Sequence, residues 1–208
     1  MINPVLASII SYFLGSINFA YLLGKLMKVD ISKMHNKNLG SSNLYDSINR
    51  KYKSKKLSTA LFTVSALLDI LKAYIPTMLF GPIAGSFAVV GHCFSVFSML
   101  KTRNIPTGLG VASSGGWLLA IDYRIFLLGL FLFLAFHRYF FMIKGMGADN
   151  FYWAFIYPFL LIIWIKYVGI DEETFIGYTI VMLSIMTART IKIKKIFLQY
   201  KRKLKQYI

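Results

Sequence analysis

Apolar runs broken by short polar links set the pattern of this chain. Seven runs read as helices, at 4–23, 57–80, 82–100, 109–121, 125–143, 151–167 and 175–187. A helix that spans a bilayer needs roughly 20 mostly apolar residues, and several of these runs approach that length. The fourth and seventh are short, which suits a tilted, re-entrant or extended helix. The second carries Asp69 and Lys72, which weakens its apolar character. The pattern predicts an all-α integral membrane protein with about seven transmembrane helices, forming one polytopic domain over residues 1–208. The first run has no basic segment before it, so it reads as a retained span rather than a cleaved leader.

Charge gives the spans a direction. Lys25, Lys28, Lys33, Lys37, Arg50, Lys51, Lys53, Lys55 and Lys56 crowd the 25–56 link, and the 189–208 tail is equally basic. Lys and Arg collect on the cytoplasmic side of short loops. The 25–56, 101–108 and 144–150 links and the C-terminus are therefore expected inside, and the N-terminus outside. The outer links are Gly81, 122–124 and the acidic 169–173. An odd number of spans is what places both basic blocks on one side, against anionic headgroups. The expected location is the plasma (inner) membrane.

Composition agrees with that picture. The chain has 208 residues, 57% of them hydrophobic, against the 45–50% usual for soluble domains. A net charge of +16 raises nucleic acid as a partner. The cations flank apolar spans rather than covering a globular face, so no nucleic acid is expected. The single cysteine, Cys93, excludes a disulfide framework, and no Cys/His spacing suits a metal.

Ionisable groups inside spans are rare and are functional candidates by default. Asp69 and Lys72 lie three apart on one helix face and can pair, either to lock two helices or to serve a site. His92 lies in Val90-Gly91-His92-Cys93-Phe94; it reads either as a histidine bonded to a nearby carbonyl or as a site residue. Cys93 points about 100° away from it on a helix and is no dyad partner. Arg138, beside His137, is explained by snorkelling. Ser16 and Asn18 beside Gly15 mark a close helix contact. Two polar segments fall on the same side. One is 35–43, with Asn38, Gly40, Ser41, Ser42 and Asn43; the other is 107–116, with Gly108 and Gly110 after Lys101. Such loops present N–H groups and hydroxyls to anions, which suggests a phosphate site at the inner membrane surface.

These blocks resemble the bacterial integral-membrane glycerol-3-phosphate acyltransferases that use acyl-phosphate, the PlsY family. Gly15-Ser16-Ile17, Gly24-Lys25, Asp30 and Asn38-Leu39-Gly40-Ser41-Ser42-Asn43 follow the family's first block. Asp69-Ile70-Leu71-Lys72 matches its D-x-x-K, and Gly91-His92-Cys93-Phe94-Ser95-Val96-Phe97 matches G-H-x-F-P-V-F. Gly110-Val111-Ala112-Ser113 matches the end of K-G-G-K-G-V-A-T. The resemblance implies acyl transfer from acyl-phosphate to the 1-hydroxyl of glycerol-3-phosphate, for phospholipid synthesis, with no cofactor and no metal. It implies phosphate heads in the polar loops and the acyl chain between helices. His92 is implied as the catalytic group, as general base or as phosphate holder.

The chain departs from the family pattern at several places. Asn36 stands for a serine, Asp46 for an arginine, Leu109 for a lysine and Ala188 for a histidine. Two further readings therefore stand beside the enzyme. One is an inactive paralogue that binds lipid or a protein partner. The other is a small transporter, disfavoured because the polar residues gather toward one face.

Overall fold

The computed structural model describes residues 2–33, 39–102, 107–142 and 148–204. Among these, every regular element is helical. The order is α1 (Pro4–Ser16), α2 (Phe19–Leu26), a 3-10 turn at Ile31–Lys33, α3 (Ser41–Tyr52), α4 (Lys55–Phe80), α5 (Pro82–Cys93), α6 (Val96–Thr102), α7 (Val111–Ile121), α8 (Tyr123–Met142), α9 (Ala148–Tyr167) and α10 (Glu172–Leu204). Among the described residues, four stretches are long and apolar enough to cross a membrane: Pro4–Leu26, Lys55–Phe80, Pro82–Leu100 and Glu172–Lys192. Val111–Ile121, Tyr123–Leu132 and Pro158–Tyr167 are shorter apolar helices. The short fourth run is a short helix indeed. Eleven residues at 1.5 Å each give α7 about 16 Å, half of a ~30 Å hydrocarbon core. The seventh run is the extended case, since it belongs to the 33-residue α10. Large apolar side chains such as Val5, Leu79, Leu100 and Phe131 are exposed, an arrangement suited to lipid rather than water.

The first and third runs, expected as continuous spans, are both broken. At Ile17 the backbone turns extended (φ −66°, ψ 120°), and the Asn18 side chain accepts the Tyr21 N–H to start α2. At Phe94 the backbone leaves helical space (φ −127°, ψ 54°) before α6 begins. Sequence hydropathy sees no break because the residues on either side are apolar. A break inside a membrane frees carbonyls, and these must find donors within the protein. Here the two breaks serve each other. The Tyr12 hydroxyl donates to the Phe94 carbonyl at 2.8 Å, and the Ser95 hydroxyl donates to the Ser16 carbonyl.

Close backbone approach makes this possible. A Cβ at Gly15 would run into the Ala88 carbonyl, and one at Gly91 into the Tyr12 carbonyl. The close contact expected beside Gly15 is thus the α1–α5 seam. Gly91→Ala is expected to destabilise the protein by about 1–3 kcal/mol through overpacking. Gly115→Ala on α7, whose Cβ would meet only the Phe126 ring at 3.4 Å, is the matched control. Thermal unfolding in detergent checks the pair; equal melting temperatures would count against the seam.

The 25–56 link is not the plain loop expected. It carries α3, so Ser41, Ser42 and Asn43 form the first turn of a helix instead of an irregular anion loop. A run of Asn, Ser and Gly reads as loop, but Leu44 and Ile48, both fully buried, recur at helical spacing and win. α3 also closes the end of α2. Lys51 Nζ donates to the Met27 and Lys28 carbonyls at 3.2 and 2.9 Å, and the Tyr52 hydroxyl donates to Met27 at 2.8 Å.

The far end of the bundle is held by Trp117, Trp164 and Tyr178, packed edge to face at 6.0–6.5 Å between centroids. The Trp117 indole donates to the Pro82 carbonyl at 2.9 Å, which ties α7 to the start of α5. Tight links lie at this end. Gly81 turns α4 into α5 at φ 87°, and Asp171 caps α10 by accepting from the Thr174 N–H and hydroxyl. Those bonds hold the Asp171 carboxyl below its ordinary range.

Candidate active site

The site grows out of the two breaks. Asp69 and Lys72 sit one turn apart on α4, facing the α1–α2 break. Both are buried, and Lys72 Nζ lies 2.7 Å from Asp69 Oδ1. The pairing expected from their spacing is therefore present. Lys72 Nζ also donates to the Ile17 carbonyl at 2.8 Å, the carbonyl freed by the break. The Phe19 ring stands 5.8 Å from the same ammonium. The lysine thus carries two partners that a continuous first span would not supply.

His92 stands on the last turn of α5, nearly buried at 9% exposure. Its Nδ1 faces Asp69 Oδ1 at 3.6 Å, too long for a hydrogen bond. Its other edge faces Gly108, where a Cβ would run into Nε2. The histidine is therefore aimed, with one nitrogen toward the carboxylate and the other toward the 107–110 segment. Cys93 is fully buried and packs against Gly110 in the core.

Thr107 fastens that segment. Its hydroxyl donates to the His92 and Cys93 carbonyls at 3.1 Å each, and accepts the Ser95 N–H at 3.0 Å. Its own N–H bonds the Cys93 carbonyl at 2.9 Å. Three backbone groups freed where α5 ends are thereby satisfied by one residue. Gly110 then enters the left-handed region (φ 73°) and starts α7.

The two polar segments expected to share a face do meet. The Leu39 N–H donates to the Thr107 carbonyl at 3.4 Å, and the Ser41 and Ser65 hydroxyls pair at 3.0 Å, joining α3 to α4. Gly40 precedes α3 in extended conformation, and Asn43 is buried behind the first turn. Ser42 is exposed. Asp69, Lys72, His92 and Gly108 are thus brought together, with Ser41 held to Ser65 one turn earlier on α4, whereas Gly110 packs against Cys93, Ile185 and Val89. Lys101 lies on α6, with its side chain outside the described residues; Asn36 and Asn38 lie outside them altogether. Asp46 is exposed on α3, Leu109 is half-buried, and Ala188 is buried on α10 next to the buried Arg189.

Sequence reasoning missed Thr107, Ser95 and Ser65. Thr107 had a signal, since it directly precedes the glycine pair. Ser95 lies three residues past His92, where an apolar span has no use for a hydroxyl. Ser65 had none, because one serine in a long helix is unremarkable. A cavity of about 430 Å³ also opens beside the first break, lined by Ile17, Asn18, Tyr21, Leu22, Leu39, Phe97 and Ser98.

Known proteins are similar to this chain. A curated relative from Pseudothermotoga lettingae, named glycerol-3-phosphate acyltransferase, is 34% identical over 128 residues, 57% of this chain and 57% of its own length. One from Ehrlichia ruminantium with the same name is 36% identical over 133 residues, covering 58% of this chain and 60% of the relative. The matched regions therefore span under two thirds of those relatives. The crystal structure of PlsY (YgiH), an integral membrane glycerol 3-phosphate acyltransferase in its glycerol 3-phosphate form, superposes with a TM-score of 0.68 at 22% identity, covering 94% of this chain and 92% of that one. The fold is thus that of a multi-pass integral membrane protein. The family model for glycerol-3-phosphate acyltransferase matches residues 5–199, nearly the whole length, and the chain belongs to that family.

Proposed function

We propose that the chain is a membrane acyltransferase that moves a fatty acyl group from acyl-phosphate to the 1-hydroxyl of glycerol-3-phosphate. One observation carries the reading: His92, buried in a membrane helix, has one nitrogen toward a carboxylate and the other against Gly108. A buried histidine so aimed suits proton transfer or a hydrogen bond to a substrate oxygen. In the reaction, the acceptor oxygen bonds the acyl carbon, the carbon–oxygen bond to phosphate breaks, and inorganic phosphate leaves. The acceptor proton goes to His92 Nε2 or to a phosphate oxygen of the donor. The phosphates are assigned to Asn38, Gly40, Ser41, Ser42, Asn43, Lys101, Gly108 and Gly110. The positive end of the α3 dipole adds to their pull. Asp69 and Lys72 position His92 and the break at Ile17. This chemistry draws on no metal or cofactor.

The reading includes a single membrane domain of seven crossings, N-terminus outside, with both basic blocks on the cytoplasmic face of the plasma membrane. The seven apolar helical stretches and the crowding of Lys and Arg support it. The names of the curated relatives and the two solved forms, with glycerol 3-phosphate and with lysophosphatidic acid, support the substrates.

The test is direct. Purified protein given palmitoyl-phosphate and glycerol-3-phosphate is expected to form lysophosphatidate and release inorganic phosphate. No product above a His92→Ala control ends the reading. The second reading, a catalytically inactive paralogue that binds lipid or a protein, is favoured by Asp46 and Ala188, where the family carries arginine and histidine. Rescue of a cell lacking its own acyltransferase would exclude it.

A further inference from the structure

Where α5 ends, two hydroxyls stand in place of a proline and a glycine. The pattern G-H-x-F-P-V-F has proline where this chain has Ser95, and K-G-G-K-G-V-A-T has glycine where it has Thr107. A proline brings no N–H and biases the residue before it away from helical space. Ser95 instead brings an N–H that needs a partner once α5 stops. Thr107 Oγ1 accepts it at 3.0 Å, and both residues are buried. The Ser95 hydroxyl in turn accepts the Ser98 N–H at 3.2 Å and donates to the Ser16 carbonyl, so it caps α6 and holds it to the end of α1. The Thr107 hydroxyl proton is shared between the His92 and Cys93 carbonyls. These bonds reach the backbone of His92 and not its ring. The ring is met by the next residue, since a Cβ on Gly108 would strike both Nε2 and Cδ2. Thr107 therefore fixes the place of the glycine that borders one edge of the imidazole, while Asp69 faces the other.

We infer that the Thr107 hydroxyl is a positioning group for His92, and that Ser95 and Thr107 together replace the constraint that a proline at position 95 would impose. The inference rests on the acyltransferase reading for the chemistry at His92; the interlock of the two hydroxyls does not. Without the Thr107 hydroxyl, the Ser95 N–H and two carbonyls lose their shared partner, and Gly108 no longer sets the imidazole. The Thr107 N–H keeps its bond to the Cys93 carbonyl at 2.9 Å, so the 107–110 segment shifts rather than detaches. A displacement of about 1 Å in a reacting group is enough to lower a rate roughly a hundred-fold.

Thr107→Val keeps the shape and removes the hydroxyl; Thr107→Ser keeps the hydroxyl. Acyl transfer from palmitoyl-phosphate to glycerol-3-phosphate is measured on the full chain in detergent, for each variant with His92 and with His92→Ala. Thr107→Val is expected to lower kcat/KM by about ten-fold or more, and Thr107→Ser by under about three-fold. In the His92→Ala background, Thr107→Val is expected to leave the residual rate nearly unchanged, because a group that acts through the imidazole has nothing left to position. Equal losses in the valine and serine variants, or the same loss with and without His92, overturn the inference. A second readout needs no turnover. Diethyl pyrocarbonate modifies imidazoles, and peptide mass spectrometry follows His92 with His35 and His137 as internal references. Thr107→Val is expected to speed modification of His92 several-fold relative to them, and Thr107→Ser to leave it at the parent's rate; an unchanged rate in the valine variant overturns the inference. Should Thr107→Val fail to fold, Thr107→Cys, whose thiol is a weak donor and acceptor, takes its place, and parent levels of transfer and modification would be the overturning result. Absence of transfer in the parent itself would refute the enzyme and leave the interlock to be decided by the modification rates.

Discussion

Replacing His92 with alanine is expected to lower acyl transfer by about 10²–10⁴-fold, the range that general acid–base groups contribute. The variant is expected to fold, because the Asp69–Lys72 pair and the Thr107 bonds to backbone carbonyls do not depend on the imidazole. Kinetics then separate the two roles left open for His92. If it takes the acceptor proton, kcat falls while KM for glycerol-3-phosphate changes little. If it only holds a phosphate, KM rises by the larger factor. His92→Gln sharpens the division, since glutamine donates a hydrogen bond but cannot accept a proton at neutral pH. A variant with most of its activity would remove His92 from the site, leaving a histidine that merely fills the end of α5.

Much of this was legible in the sequence, and the failures share a cause. Among the described residues each apolar run falls on an apolar helical stretch, four of them long enough to cross a membrane, because hydropathy measures what lipid measures. The pairing of Asp69 with Lys72 followed from a three-residue spacing on one helix. Hydropathy cannot see a helix break whose flanks are equally apolar, so Ile17 and Phe94 were passed over. Yet those breaks build the site, for one supplies a carbonyl to Lys72 and the other gives Thr107 its three partners. The opposite error occurred at Ser41–Asn43. Local composition said loop, and burial of Leu44 and Ile48 against α4 made a helix. Thr107 was legible only as the neighbour of a glycine pair. Its importance lies in contacts across twelve to fifteen residues, which no local pattern encodes.

Removal of Lys72 gives the largest expected loss of stability. Lys72→Met leaves the Asp69 carboxylate, 4% exposed, without its cation, and it leaves the Ile17 carbonyl without its donor. Breaking a buried ion pair from one side costs about 3–5 kcal/mol. An orphaned carbonyl adds about 1–3 kcal/mol. The double variant Asp69→Leu, Lys72→Met removes both charges at once, and an apolar replacement of similar volume is often neutral for the pair itself. It is therefore expected to recover most of the loss, short of the carbonyl's share. Reversible unfolding in mixed micelles gives the three free energies needed, and the coupling between the two positions is the quantity of interest. A single variant within about 1 kcal/mol of the parent would mean that the pair is solvated and not a buried structural element. Activity of the double variant then decides what the pair is for. A folded protein without acyl transfer assigns Asp69 to aiming His92, because the imidazole has lost the only carboxylate recorded beside it among the described residues. A folded protein with acyl transfer makes the pair a lock between α4 and the broken first span, and leaves the aiming of His92 to Gly108 and Thr107.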